Sequence, residues 1–457
     1  MTSPRNDTIS RTDSLPSAAE TSRRGFLGHS AAATASLALA TGLHAAEPKA
    51  DRQPLHLGII GCGGIMGHHM KGLVRRREAV TIGWLCDVDP GQIDRMAGLM
   101  EGFQQAAPRR TDDFEAVLDD PAIDAVIIAT PHHWHAPMTL RAIAAGKDVY
   151  IEKPVSHVFA EGPLVREAAR RAGRVVQQGS QMRSSPVTER AGKLLREGLI
   201  GEIKVARAWT VEPRTSQPPV ADSTPPEGVN YDLWLGPAPA RPFNKLRFHR
   251  TWRLFQDYGN GEIGDDGIHD IDMARWGLGV DELPTQITAR GSRKMLPGHA
   301  SEYPDNLNVT WEFPDGRLMV YENIPFSNYG MHGWDNGNVF YGTEGYMIFS
   351  RRGAFNTYLG RRRTPGPTEG SELRGQRGYA EHMADFFNCV RERRLETVAD
   401  PETAHLSCAL VHLGEIAYRT RGRVDFDSAA GKFVDCPEAD QLLTKDYRAP
   451  WDLNVPG

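Results

Sequence analysis

Residues 124–157, DAVIIATPHHWHAPMTLRAIAAGKDVYIEKPVSH, restrict the folds open to this chain more than any other stretch. The run through Val126, Ile127 and Ile128 is apolar throughout and bounded by polar residues, as a strand buried on both faces requires. Met138, Leu140, Ala142, Ile143 and Ala145 then mark a helix, and Gly146 is placed to end it. Val149 and Ile151 form a second strand whose carboxyl end carries Glu152, Lys153 and Pro154. Strand, helix and strand in this order predict a parallel sheet, whose ligands sit in the crevice beyond the carboxyl ends of its strands. Thr130, His135, Glu152 and Lys153 therefore face one crevice.

Upstream, residues 55–60 (LHLGII) read as a strand that runs into the glycine loop GCGGIMG, residues 61–67, and then into a helix. Gly61 and Gly63 let the backbone approach a pyrophosphate, whose charge is favourable at the helix N-terminus, and Gly64, Ile65 and Met66 complete the cradle. The next strand, VTIGWLCD, ends on Asp87, 26 positions after Gly61. A carboxylate at about that spacing accepts hydrogen bonds from the adenosine ribose and repels the extra phosphate of NADP, so the expected cofactor is NAD. One departure stands out. Met66 replaces the third glycine of GxGxxG and Gly67 comes one place late, so the helix start sits differently against the pyrophosphate.

With the GCGG loop, Asp87, ATP followed by His135, EKP at 152–154 and GDDGIHDIDMARW at 264–276, the chain resembles the glucose–fructose oxidoreductase, inositol dehydrogenase and MocA family over most of residues 55–425. That resemblance implies an α/β protein: a Rossmann domain, then an α/β domain with an open, mostly antiparallel sheet that covers the nicotinamide and binds a sugar or cyclitol. It also implies a lysine, an aspartate and a histidine at the chemistry, which fall here on Lys153, Asp265 and His269.

Oxidising a secondary alcohol requires loss of its hydroxyl proton as hydride leaves carbon. A helix starting near Ile268 puts His269, Asp272 and Met273 on one face, with Asp265 just before it. A neutral His269 is a natural proton acceptor, Lys153 can stabilise charge on the same oxygen, and Asp265 can orient the substrate or keep the lysine charged. Either Lys153 or His269 serves as the base at this level. The plain readings are a solvated Lys153 and a helix-capping His269. Gln181 is a candidate for the nicotinamide amide or a sugar hydroxyl, or is a turn residue. Arg183, Trp252 and Asp272 are candidate substrate contacts, Trp252 with Arg250 forming a wall or, equally, packing in the core. HHWH (His132, His133, His135) lacks further ligands at zinc spacing, so no metal is expected and His135 is placed beside the cofactor.

At the other end, SRRGFLG (residues 22–28) precedes an alanine-rich apolar stretch, the pattern of a twin-arginine export signal, with cleavage near Ala45 or Ala46. The apolar stretch is too short for a stable membrane span. A periplasmic or extracytoplasmic location follows, with the twin-arginine machinery as partner during biogenesis and NAD loaded before export and held tightly afterwards.

The expected division is a signal peptide at 1–46, an NAD-binding domain at 55–178, a substrate domain at 179–430 and an extension at 431–457. In the second domain a helix at SSPVTERAGKLLREG, a strand at GEIKVARAWTVE and a proline-rich loop precede strands near 285–291, 306–313, 317–324 and 337–349. Two helices near 379–394 and 401–420 are expected to pack back on that sheet, and Arg361, Arg362 and Arg363 to lie in a solvated loop. A net charge of −5 offers nothing to nucleic acid. Cys62, Cys86, Cys389, Cys408 and Cys436 form no CxxC motif and read as free thiols. A homo-oligomer is expected. The function these features imply is NAD-dependent oxidation of a sugar, glycoside or cyclitol hydroxyl. A glycoside-cleaving cycle of oxidation, elimination and re-reduction is the alternative, although the GxxYPTHG-like signature of such relatives is absent. A non-catalytic sugar-binding protein is the third reading.

Overall fold

The computed structural model describes residues 54–370 and 372–453; the expected export signal, residues 1–46, lies outside them. The first domain contains β1 (Leu55–Ile60), α1 (Gly64–Leu73), β2 (Val80–Cys86), α2 (Pro90–Leu99), β3 (Arg109–Thr111), α3 (Phe114–Leu118), β4 (Ala125–Ile128), α4 (His135–Ala144), β5 (Asp148–Ile151), α5 (Glu161–Ala172) and β6 (Val176–Gln178). Its strands are all parallel and ordered β3-β2-β1-β4-β5-β6. The sequence reverses direction between β1 and β4, which is where such a sheet opens a ligand crevice. Register aligns the strand ends: Ile60 lies beside both Cys86 and Ile128, and Ile128 beside Ile151. Gly61, Asp87, Thr130 and Glu152 consequently emerge along one edge.

The second domain follows with α6 (Pro186–Arg196), β7 (Ile203–Thr210), α7 (Tyr231–Leu235), α8 (Ile268–Leu278), β8 (Gln286–Ser292), β9 (Asn306–Glu312), β10 (Leu318–Asn323), β11 (Asn336–Gly342), β12 (Gly345–Ser350), β13 (Ala354–Leu359), β14 (Thr364–Glu369), α9 (Tyr379–Glu392), α10 (Pro401–Arg419), β15 (Arg423–Asp427), β16 (Lys432–Phe433) and α11 (Pro437–Asp440). Its strands form one open ten-stranded sheet, β14-β13-β12-β11-β7-β10-β9-β8-β15-β16, antiparallel except for the β7–β10 pair. Alternation puts Ala206 and Ala208 of β7, Met319 and Tyr321 of β10 and Phe340 of β11 in the core beneath α8.

Three sequence expectations change. The strand expected at 337–349 is two, because Thr343 and Glu344 turn the chain between β11 and β12. β13, β14, β15 and β16 were not anticipated; β14 carries Pro365 and Pro367, which an edge strand tolerates, and Arg361–Arg363 lie in the exposed turn before it. Finally, α9 does not pack on the antiparallel sheet. Met383, Phe386, Phe387 and Val390 join the core of the first domain with Leu57, Met70 and Tyr150. Burying a phenylalanine such as Phe386 there contributes roughly 1.5–3 kcal/mol. Polar contacts seal the seam: Gln177 Nε2 donates to the His382 carbonyl at 2.8 Å, and Arg391 to that of Ala79 at 2.7 Å. Only α10 fits the expectation, wedged between β8 and α5.

The segment after 430 is built into the fold. Lys445 and Tyr447 bond the fully buried Glu161 at 3.1 and 2.8 Å, and Trp451 packs edge-on against Trp134 at 4.9 Å.

Candidate active site

A cavity of about 910 Å³ runs along the carboxyl ends of β1, β2, β4 and β5 and beneath the second domain. At one end the glycine loop forms its floor. Gly61 has φ +86°, and a Cβ there would meet the Ala129 carbonyl at 2.7 Å, so the turn requires glycine. A Cβ on Gly63 or Gly64 would meet nothing within 4 Å; it would project into the open space that both residues line. The N-terminus of α1 begins at Gly64 with no side-chain cap and no acidic residue in its first turn. Its free N–H groups suit a diphosphate. The residues therefore fit a dinucleotide.

Asp87 stands at the adjacent strand end, where its carboxylate accepts from the N–H of Cys62 at 2.7 Å and of Asp89 at 2.9 Å. Burial raises its pKa to about 6 despite those two donors. The second domain closes this end. Asn230 donates from its backbone to Val88 O and from its side chain to Asp112, each at 2.9 Å, and His249 reaches Asp89 at 3.1 Å. Leu233, Trp234 and Phe248 of the same segment line the wall.

At the other end Lys153 leaves β5 ahead of a cis peptide to Pro154. Its Nζ donates to Asp265 Oδ1 at 3.0 Å and to the Asp265 carbonyl. Asp265 also pairs with Arg253 at 2.5 Å. Burial opposes charge on Asp265, yet Arg253 and Lys153 hold it far below the usual carboxylate range. Asp265 and Asp266 belong to a π-helical turn, Ile263–Gly267, running directly into α8. Such turns recur at functional sites. Asp266 pairs with Arg351 at 2.5 Å, while His269, one turn on, lines the cavity with Lys153 and Asp265. Burial first, then Arg351 and Lys153, lower the His269 pKa to about 3, so its imidazole is neutral near neutral pH.

Glu152 is buried beside Lys153. His69 Nε2 reaches its Oε1 at 2.6 Å and Gln181 Nε2 donates to it at 3.0 Å. Burial works against the charge, but His69 and nearby cations keep the carboxyl at about 2. His135 spans two strand ends, with Nδ1 2.6 Å from Pro154 O and Nε2 2.8 Å from Thr130 O. Neutral imidazole donates to only one of them.

Of the residues singled out in the sequence, the cavity brings together Gly61, Gly63, Gly64, Ile65, Asp87, Thr130, His135, Glu152, Lys153, Trp252, Asp265 and His269, with Arg250. Four lie outside its lining. Met66 faces the core of the first domain. Gln181 is spent on Tyr150 and Glu152. Arg183 and Asp272 form a buried bidentate pair, with Ser407 donating to the same carboxylate at 2.6 Å, so the face shared by His269 and Asp272 ends in packing. Sequence reasoning missed Arg253, one residue beyond Trp252, and Arg351, whose pairing partners lie about 80 positions upstream. His132 was noted only within a metal question.

Comparison with known proteins agrees with this two-domain fold. A profile described as "Oxidoreductase family, NAD-binding Rossmann fold" matches residues 55–180, and "Oxidoreductase family, C-terminal alpha/beta domain" matches 208–322 and 370–453. A levoglucosan dehydrogenase of Pseudarthrobacter phenanthrenivorans is 27% identical over 271 residues, 54% of this chain and 60% of the relative. An NAD(+)-dependent scyllo-inositol 2-dehydrogenase of Bacillus subtilis is 24% identical over 355 residues, 75% and 88% of the two chains. The solved levoglucosan dehydrogenase complex with NADH superposes with a TM-score of 0.62 at 21% identity, covering 82% of this chain and 100% of that one.

The open space at Gly63 yields a clean test. Gly63→Ala should change folding stability by less than about 0.5 kcal/mol while weakening NAD binding at least tenfold, read by thermal denaturation and by calorimetric titration.

Proposed function

The chain belongs to the oxidoreductase family of glucose–fructose oxidoreductase, inositol dehydrogenase and MocA, and from that premise we propose that it is an exported, NAD-dependent oxidoreductase acting on a secondary hydroxyl of a sugar, glycoside or cyclitol. The observation that carries this reading is the meeting of Lys153, Asp265 and His269 at the end of the cavity opposite Asp87. A bound nicotinamide supplies the hydride acceptor. Lys153 donates to the substrate oxygen, and Asp265, fixed by Arg253, holds the lysine in place. His269, neutral and lining the same cavity, takes the hydroxyl proton. Relatives named for levoglucosan and scyllo-inositol support a polyhydroxylated substrate, as do Trp252 and Arg250 in the cavity wall.

Export by the twin-arginine route rests on Arg23 and Arg24 ahead of the apolar stretch. It goes with a cofactor held through turnover, a reading supported by the segment that Asn230 and His249 fasten across the Asp87 end. Replacing both arginines by lysine should leave the protein in the cytoplasm, as cell fractionation would show; unchanged export would remove this part of the reading.

Denaturing the purified protein, identifying the released dinucleotide and screening glycosides and cyclitols by mass spectrometry tests the rest. A keto-sugar formed with NADH supports the dehydrogenase, release of an aglycone without net NADH points to oxidative cleavage, and binding without turnover to a sugar-binding protein. Lys153→Met should lower kcat about 10²- to 10⁴-fold with NAD affinity within about twofold of the original; full activity would sink the role given to Lys153.

The depressed pKa of His269 also sets a pH profile. A base with a pKa of about 3 loses its lone pair only as pH falls toward that value. With NAD saturating, kcat/KM should therefore stay level from about pH 8 down to about pH 5, and an acid limb near pH 6.5 would show an unshifted histidine at work instead.

A further inference from the structure

The cavity contains a hydrogen-bond acceptor for which the chemistry above has no use. His132, just past the end of β4, is buried in the cavity wall with 2% of its surface exposed. Its Nδ1 lies 3.1 Å from Asn260 Oδ1. The orientation of that amide is set from behind, because Asn260 Nδ2 donates to the His157 carbonyl at 2.9 Å and reaches Glu415 at 3.4 Å. A carbonyl oxygen only accepts, so the amide nitrogen must face His157 and Oδ1 must face His132. His132 accordingly carries its proton on Nδ1 and its lone pair on Nε2.

The frame behind this arrangement is consistent throughout. Lys445 Nζ donates to His157 Nδ1 at 2.8 Å, and His157 Nε2 donates to the Gly259 carbonyl at 3.2 Å. Protonation of His132 is opposed by its burial and by His135 and Lys153, against Asp265. Nε2 has no hydrogen-bond partner among the described residues, and Trp252 stands edge-on to the ring at 4.6 Å.

We propose that His132 Nε2 accepts a hydrogen bond from a second hydroxyl of the substrate, so that the site selects polyols over alcohols with a single hydroxyl. Asn260 is the positioning residue that keeps the acceptor pointing forward. The assignment rests on the oxidoreductase reading for what the first hydroxyl does, but the state of His132 can be measured by itself. A substrate that displaces water from this acceptor but lacks the second hydroxyl leaves the lone pair without a donor, which disfavours it about 10- to 100-fold.

The experiment uses the full-length, NAD-loaded protein with ¹⁵N-histidine, the His132 resonances being assigned by their loss in His132→Gln. The probes are myo-inositol, levoglucosan and cyclohexanol. The expected result is an unprotonated Nε2 whose resonance moves with at least one polyol and not with cyclohexanol. His132→Phe should raise the KM for that polyol about 10- to 100-fold with kcat within about threefold, and His132→Gln, which keeps an acceptor, should recover part of it. A protonated Nε2, no response to either polyol, or an equal response to cyclohexanol overturns the proposal. Ketone formation with KM unchanged in His132→Phe removes this acceptor and leaves the oxidoreductase reading standing; a polyol response without any ketone does the reverse.

Discussion

Asp265 is the contact on which the site depends, because it joins the two domains through charge. Lys153 arrives from the parallel sheet and Arg253 from the long segment before α8, and the carboxylate between them is shared. The Lys153 and Asp265 side chains are each only 16% exposed. Removing one member of such a buried group leaves its counter-charges stranded, at a cost of about 3–5 kcal/mol, whereas the intact group adds less to stability than to placement. The lysine is thus held at the end of the cavity opposite Asp87 by an element from the other half of the molecule.

Adjacent aspartates serve different cations. In the π-helical turn, Asp265 answers Lys153 and Arg253 while Asp266 answers Arg351, which also reaches Asp270 at 3.4 Å. Glycines make the turn possible: a Cβ on Gly267 would lie 2.3 Å from the Tyr321 hydroxyl. His269 sits between these two sets of charges and forms no ion pair among the described residues; burial, Arg351 and Lys153 outweigh Asp266 and Glu152 and keep it uncharged. The local geometry and the protonation state of the imidazole therefore have one origin.

Much of this was legible in the residues. The βαβ units, the glycine loop, Asp87 and EKP carry short-range patterns, and short-range patterns survive in a single sequence. The mostly antiparallel second sheet was also readable from alternation and turns. What escaped was long-range pairing. Asp272 looked like a site residue because it shares a helix face with His269, yet its partner Arg183 lies 89 positions away. Gln181 is turned inward by Glu152 and Tyr150. Arg351 directly follows an ordinary strand, and nothing near it in the sequence marks its partners Asp266 and Asp270. Residues 212–228 read as a proline-rich surface loop and the stretch after them carried no pattern, whereas residues 229–249 close the Asp87 end of the cavity, because apolar residues such as Trp234, Phe248 and Tyr258 give this segment a small core of its own.

The docking of α9 governs how the molecule comes into being. The nucleotide-binding half looks continuous from residue 55 to 178, yet part of its interior is supplied by Met383, Phe386 and Phe387, some two hundred positions later. During synthesis the apolar flank beside Met70 and Tyr150 must stay uncovered until nearly the whole second half has left the ribosome. The Rossmann unit cannot be completed early as a separate module, so the two halves must mature together.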